Sequence, residues 1–284
     1  MIWLAVLVVL LVLALAIFLP KLYQNPRKKH QKTPGDFNIP FEEVRFPTQN
    51  SRSLYGWWIP ASQDAAAAPT LLLVHGWGRN VERTLPYIRN LYPAGFNLLA
   101  FDSRNHGSSD SDRFSSMIKF AEDISAALDF VLKKGVSPEK IGTLGLSIGG
   151  AASIYAAAHD PRIKAVVTVG AFAHPGDVMR SEFRRYHIPY FPLVWLLFEY
   201  FQWRIGGRFD TIAPENQIAR SQAKFLLIHG ERDKIVPVKH GRRLKKAAGP
   251  NSVDLWIVPD KGHSDCHFHP DFWPRVSEFF KNNL

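Results

Sequence analysis

The chain has 284 residues, 46% apolar and 21% charged, with no repeat and no long low-complexity tract. That is enough to bury the core of one large α/β domain, and it excludes the disordered and fibrous classes. A formal net charge of +10 raises nucleic acid as a partner, but the Lys and Arg residues are scattered and no RNA- or DNA-binding motif accompanies them. An anionic membrane surface accounts for the excess better, and the single cysteine, Cys266, excludes an internal disulfide framework and fits a reducing compartment.

From Met1 to Leu19 there is no charged residue, and Leu, Val, Ile, Ala and Phe dominate. The run is just long enough to cross a bilayer, which predicts a transmembrane anchor over residues 1–19. A signal peptide cleaved after Ala14-Leu15-Ala16 competes, but a basic n-region is missing and the apolar run exceeds a normal h-region. Lys21, Arg27, Lys28, Lys29 and Lys32 follow, so the positive-inside bias places the rest of the chain in the cytoplasm. Residues 20–36, with Pro26, Pro34 and Gly35, read as a basic juxtamembrane linker to a domain spanning 37–284.

Glu43 to Pro47 and Leu54 to Pro60 alternate like two half-exposed strands of a hairpin turning at Gln49-Asn50-Ser51, and both are expected at a sheet edge. Thr70 to Val74 and Phe96 to Phe101 are unbroken apolar runs, the pattern of strands buried on both faces. Helices are predicted from Glu82 to Tyr92 and from Met117 to Lys133, where Phe120, Ile124, Leu128 and Val131 share one face. Later strands are expected at Lys140 to Leu144, Ile163 to Val169, Lys224 to Ile228 and Val253 to Val258, with helices ending at His159 and running from Lys239 to Ala248. Strands alternating with helices specify a mostly parallel twisted sheet covered on both faces.

Ala173 to Gln222 breaks this rhythm, being too long for an ordinary connection and too aromatic for a floppy one. Pro192 to Trp203 is apolar on nearly every side of a helix, so it needs cover. It reads either as a helix buried against the domain or as a lid whose Tyr190, Trp195, Phe198 and Phe201 meet acyl chains or the bilayer.

The chemistry centres on Gly145-Leu146-Ser147-Ile148-Gly149-Gly150, between an apolar strand and a small-residue helix. A strand-turn-helix of this kind strains the serine and projects its hydroxyl, and the new helix offers free N–H groups to an oxyanion. A serine hydroxyl needs a base, and His263, in the loop after the last predicted strand, is well placed; His75 and His106 also end strands and stay open. The base needs an orienting carboxylate: Asp233, after the penultimate strand, with Glu231 as competitor. Asp260 and Asp265 flank His263 too closely to face its ring. Oxyanion donors are expected from the backbone N–H groups of Ile148 and Trp77. His263, Asp265, Cys266, His267 and His269 fall close together but match no standard zinc spacing, so neither a metal nor a cofactor is expected.

The order Ser147, Asp233, His263, with His75-Gly76-Trp77-Gly78 upstream, resembles the α/β-hydrolase superfamily over roughly residues 40 to 284. Together with Asp102-Ser103-Arg104-Asn105-His106-Gly107-Ser108-Ser109 and His229-Gly230-Glu231-Arg232-Asp233, it is similar to membrane-tethered serine hydrolases of the serine aminopeptidase-like and BEM46-like groups. The resemblance implies a Ser-Asp-His triad and a lid within residues 173–222. The expectation is a serine hydrolase acting on esters or thioesters of a hydrophobic acyl group, the substrate being a small molecule or a lipid. A peptidase and a non-catalytic tethered scaffold stand as alternatives, and the sequence sets no oligomeric state.

Overall fold

Thr70–Val74, Asn97–Phe101 and Ala165–Val169 lack the alternation of half-exposed strands because both of their faces are covered. The computed structural model describes residues 27–249 and 253–284. Eight strands form one sheet: β1 (Glu42–Thr48), β2 (Arg52–Ile59), β3 (Thr70–Val74), β4 (Asn97–Phe101), β5 (Ile141–Leu146), β6 (Ala165–Val169), β7 (Lys224–Gly230) and β8 (Val253–Val258), in the order β1-β2-β4-β3-β5-β6-β7-β8. The pairs from β4 to β8 are parallel, whereas β2 is antiparallel to both β1 and β4.

The helices are α1 (Leu85–Leu91), α2 (Met117–Lys133), α3 (Ile148–His159), α4 (Pro175–Arg185), α5 (Trp195–Ile205), α6 (Phe209–Ile212), α7 (Pro214–Gln217), α8 (Lys239–Ala247) and α9 (Phe272–Asn283). Because successive strand side chains alternate, Leu72, Val74 and Leu99 enter one core with residues of α2, α3 and α8. Leu71, Leu73 and Leu98 enter a second core with α1 and α9 on the opposite face. The Ser116 hydroxyl caps α2 by accepting from the Lys119 N–H at 3.3 Å.

Two expectations change. Only β1 of the predicted hairpin is an edge strand; β2 lies between β1 and β4. Trp57 and Trp58 point into opposite cores, so β2 requires cover on both faces and neighbours on both sides. Residues 27–36, expected to be linker, lie on the domain. The Arg27 guanidinium donates to the Gly107 and Ser109 carbonyls and the Ser111 hydroxyl, and the Asn80 amide donates to the Lys28 carbonyl at 2.9 Å. The Gln31 N–H donates to Glu82 at 2.8 Å, and the His30 ring stacks on Tyr55 at 5.3 Å. The expected anchor over residues 1–19 lies outside the described residues; among those described, no helix is long and apolar enough to cross a membrane.

Candidate active site

Ser147 joins β5 to α3 with φ 54° and ψ −118°, a conformation that costs a non-glycine residue energy and must be enforced by its surroundings. The neighbouring glycines supply the room. A Cβ on Gly149 would sit 2.6 Å from the Val74 and His75 carbonyl oxygens, and one on Gly145 would sit 2.4 Å from the Gly149 carbonyl. The start of α3 is thereby pressed against the end of β3. Ile148 opens the helix, so its amide is one of the first-turn donors without an intrahelical acceptor, at the positive end of the helix dipole. The Ser147 N–H donates to the Val169 carbonyl at 2.8 Å, which fixes the serine beside the end of β6.

Asp233 sits in the turn after β7, nearly buried. One carboxylate oxygen accepts the N–H groups of Ile235 (2.9 Å) and Val236 (2.8 Å); the other lies 2.6 Å from Nδ1 of His263, which donates to it. That bond fixes the imidazole tautomer and leaves Nε2 free of the carboxylate. His229 donates from Nε2 to the Val236 carbonyl at 2.7 Å and so braces the same turn; burial holds its pKa below the usual histidine value. The competitor Glu231 is exposed and accepts the Asp260 N–H at 3.3 Å, away from the imidazole. Asp260 pairs with Arg232, and Asp265 accepts the Gly262 N–H at 2.7 Å, shaping the turn before His263.

Gly170, directly after β6, holds φ at +67°, and a Cβ there would sit 3.0 Å from the His263 ring and 3.4 Å from Asp233. Serine backbone and imidazole therefore approach neighbouring residues, Val169 and Gly170, of one strand end. Of the two contacts a Ser-His-Asp relay needs, the His263–Asp233 bond is present. The Ser147–His263 contact, commonly long without substrate, is not among the hydrogen bonds of the described residues. Gly170 was not singled out in the sequence, although a glycine ending an apolar strand run is the signal that could have marked it.

The second oxyanion donor proposed from sequence, the Trp77 amide, lies in the loop after β3. A Cβ on the preceding Gly76 would be 3.6 Å from Ser147 Cβ, so this loop runs directly past the serine. Two histidines hold it. His75, fully buried, donates from Nδ1 to the Gly76 carbonyl at 2.8 Å and accepts at Nε2 from the Ser103 N–H at 3.1 Å; burial pushes its pKa down to about 3. His106 donates from Nδ1 to the Arg104 carbonyl (3.0 Å) and accepts at Nε2 from the Gly78 N–H (3.2 Å), its pKa also lowered by burial. With both ring nitrogens engaged by backbone, His75 and His106 are placed as braces, not as bases. Asp102, likewise unassigned from sequence, accepts the Val81 N–H (2.6 Å) and the Ser108 N–H (2.7 Å), tying the two loops together.

In the insertion, Phe198 is buried among Phe183, Tyr190 and Phe209, and Phe201 is half-buried against the same core, whereas Tyr190 and Trp195 are exposed. A cleft of about 530 Å³ opens between Asp112–Lys119 and Ile205, but none of Ser147, Asp233 and His263 lines it. Among the described residues no group of three or more His, Cys, Asp or Glu side chains is arranged to hold a metal.

A strained serine between a parallel strand and a helix, with an acid and a histidine following in chain order at the same sheet edge, defines the α/β-hydrolase class. The chain is similar to that class: a family model described as the alpha/beta hydrolase fold matches residues 69–195. The chain is similar to the uncharacterised protein YfhR of Escherichia coli K12, 28% identical over 79% of this chain and 74% of that one. It is likewise similar to the protein bem46 of Schizosaccharomyces pombe, 24% identical over 93% and 84%. Among solved structures, a Pyrococcus furiosus esterase shares the fold with a TM-score of 0.73 at 23% identity, covering 92% of this chain and 99% of that one.

Proposed function

We propose that the chain is a serine hydrolase of carboxylic esters or thioesters with a hydrophobic acyl group, held at a membrane by residues 1–19 with its catalytic domain on the cytoplasmic side. Ser147 Oγ attacks the acyl carbonyl carbon while Nε2 of His263 takes its proton. Asp233 keeps the ring oriented and stabilises the imidazolium. The Ile148 and Trp77 amides hold the oxyanion. His263 then protonates the departing alcohol or thiol, and a water activated by the same ring releases the acid from the acyl-enzyme. No step calls for a cofactor.

The observation that carries this reading is the 2.6 Å bond from His263 to a buried Asp233, lying against Gly170 next to the strand residue that bonds the strained Ser147. The aromatic insertion supports a hydrophobic acyl group, and the likeness to an esterase fold is compatible with ester chemistry. A fluorophosphonate probe should label the full chain and leave Ser147→Ala unmarked. Absence of labelling in both would overturn the reading in favour of a non-catalytic scaffold.

A further inference from the structure

Ten large apolar side chains are exposed among the described residues, and all ten lie in segments that leave the C-terminal ends of parallel strands. Trp77 follows β3, seven lie between β6 and β7, Ile235 follows β7 and Phe268 follows β8. This is the edge that carries Ser147, Asp233 and His263. Scattered exposed apolar residues are ordinary, but their restriction to the connections that leave this edge, seven of them in one insertion, points to an interaction surface there.

Helix α5 shows how the surface is made. Trp195, Leu196, Glu199 and Trp203 fall on one face and are exposed, while Leu197, Phe198, Phe201 and Ile205 turn toward the domain. The sequence required cover for this helix on nearly every side, and the fold covers only one. Exposed cations border the apolar residues: Arg184 and Arg185 next to Tyr186, and Lys234 next to Ile235. Tryptophan, tyrosine and cations around an apolar face suit the boundary of an anionic bilayer.

The leading end of the chain points to the same occupant. Arg27 is fastened to the Gly107–Ser111 stretch after β4, and farther along that connection the Arg204 guanidinium of α5 lies over the Phe114 ring at 5.0 Å. Seven residues, 20–26, separate Leu19 from Arg27. Fully extended, the eight steps from Leu19 to Arg27 reach no more than about 29 Å. An apolar run embedded that close keeps this edge against the bilayer.

We propose that the strand-end edge, with the exposed face of α5 at its centre, docks into an anionic bilayer, so that Ser147 takes a membrane-resident lipid ester as substrate. The substrate half rests on the hydrolase and anchor readings above; the docking half is read without catalysis. The test uses the full chain in phosphatidylcholine vesicles containing phosphatidylglycerol. The only native cysteine, Cys266, is buried with its thiol pushed up to about 12, so single introduced cysteines accept a nitroxide selectively.

Labels at Leu196→Cys and Trp203→Cys should be reached by oxygen and shielded from a water-soluble nickel chelate, and a label at the exposed Lys133→Cys, at the other end of α2, should behave oppositely. Equal chelate access at all three sites overturns docking. Spin–spin broadening between copies would assign the face to a second copy and overturn it too. The double variant Leu196→Ser/Trp203→Ser should lose about tenfold in rate on an acyl ester embedded in vesicles, corresponding to about 1.4 kcal/mol, with turnover of a short water-soluble ester unchanged. Unchanged vesicle rates overturn the substrate half. If Ser147→Ala retains soluble-ester turnover, the hydrolase reading fails separately, with the labels still reporting docking.

Discussion

At the scale of single residues, Asp233 is the side chain whose role is most exposed to test. Both of its oxygens are committed, one to two backbone N–H groups and one to Nδ1 of His263. Asp233→Asn keeps the shape but can offer an N–H where the ring needs an acceptor, favouring the wrong tautomer. We expect kcat on a chromogenic ester to fall by about 10⁴ with the fold intact by circular dichroism; a loss below tenfold would contradict the assignment. The placement of Ser147, Asp233 and His263 just past strand ends was legible in the sequence because each follows a strand run. The brace roles of His75 and His106 were not, since their partners, the Ser103 and Gly78 amides, belong to other loops that only the folded chain brings near.

At the scale of elements, the long apolar runs predicted β3, β4 and β6 because both of their faces are buried, and α2 was legible over its full length from Phe120, Ile124, Leu128 and Val131. The placement of β2 was misread because burial from two sides comes from strand order, which alternation does not encode. Equally invisible was the cluster under the β4–α2 connection. There the buried Arg104 guanidinium meets Asp123 at 2.7 Å and also pairs with Asp112 and Glu122, and Thr48 donates to Asp123 at 2.9 Å. Arg104→Met would strand a fully buried Asp123 charge, and a loss of about 3–5 kcal/mol in urea unfolding is expected. A loss under 1 kcal/mol would show that the cluster is merely tolerated.

At the scale of the whole molecule, buried histidines set the acid limit. Burial pushes His75 down to about 3 and His240 and His267 to about 4, from an unperturbed 6.5. All three are neutral in the fold, whereas the unfolded chain takes up protons once the pH drops below 6.5, so their contribution is complete above that pH and erodes below it. Each costs up to about 1.4 kcal/mol per pH unit in that window. Melting temperature should therefore fall steadily from pH 7 to pH 5; a flat profile would refute the account.

Arg27, His30 and Gln31 make the leading end a strap, not a leash. It is buckled to the stretch that begins at Gly107, immediately after the histidine that holds the Gly78 amide. A soluble version begun at Asp36 would unbuckle it, leaving the Tyr55 ring without its stacked imidazole. If residues 1–19 are held in a bilayer as proposed above, sideways drag by the lipid on them would be delivered through this strap to the loops around Ser147.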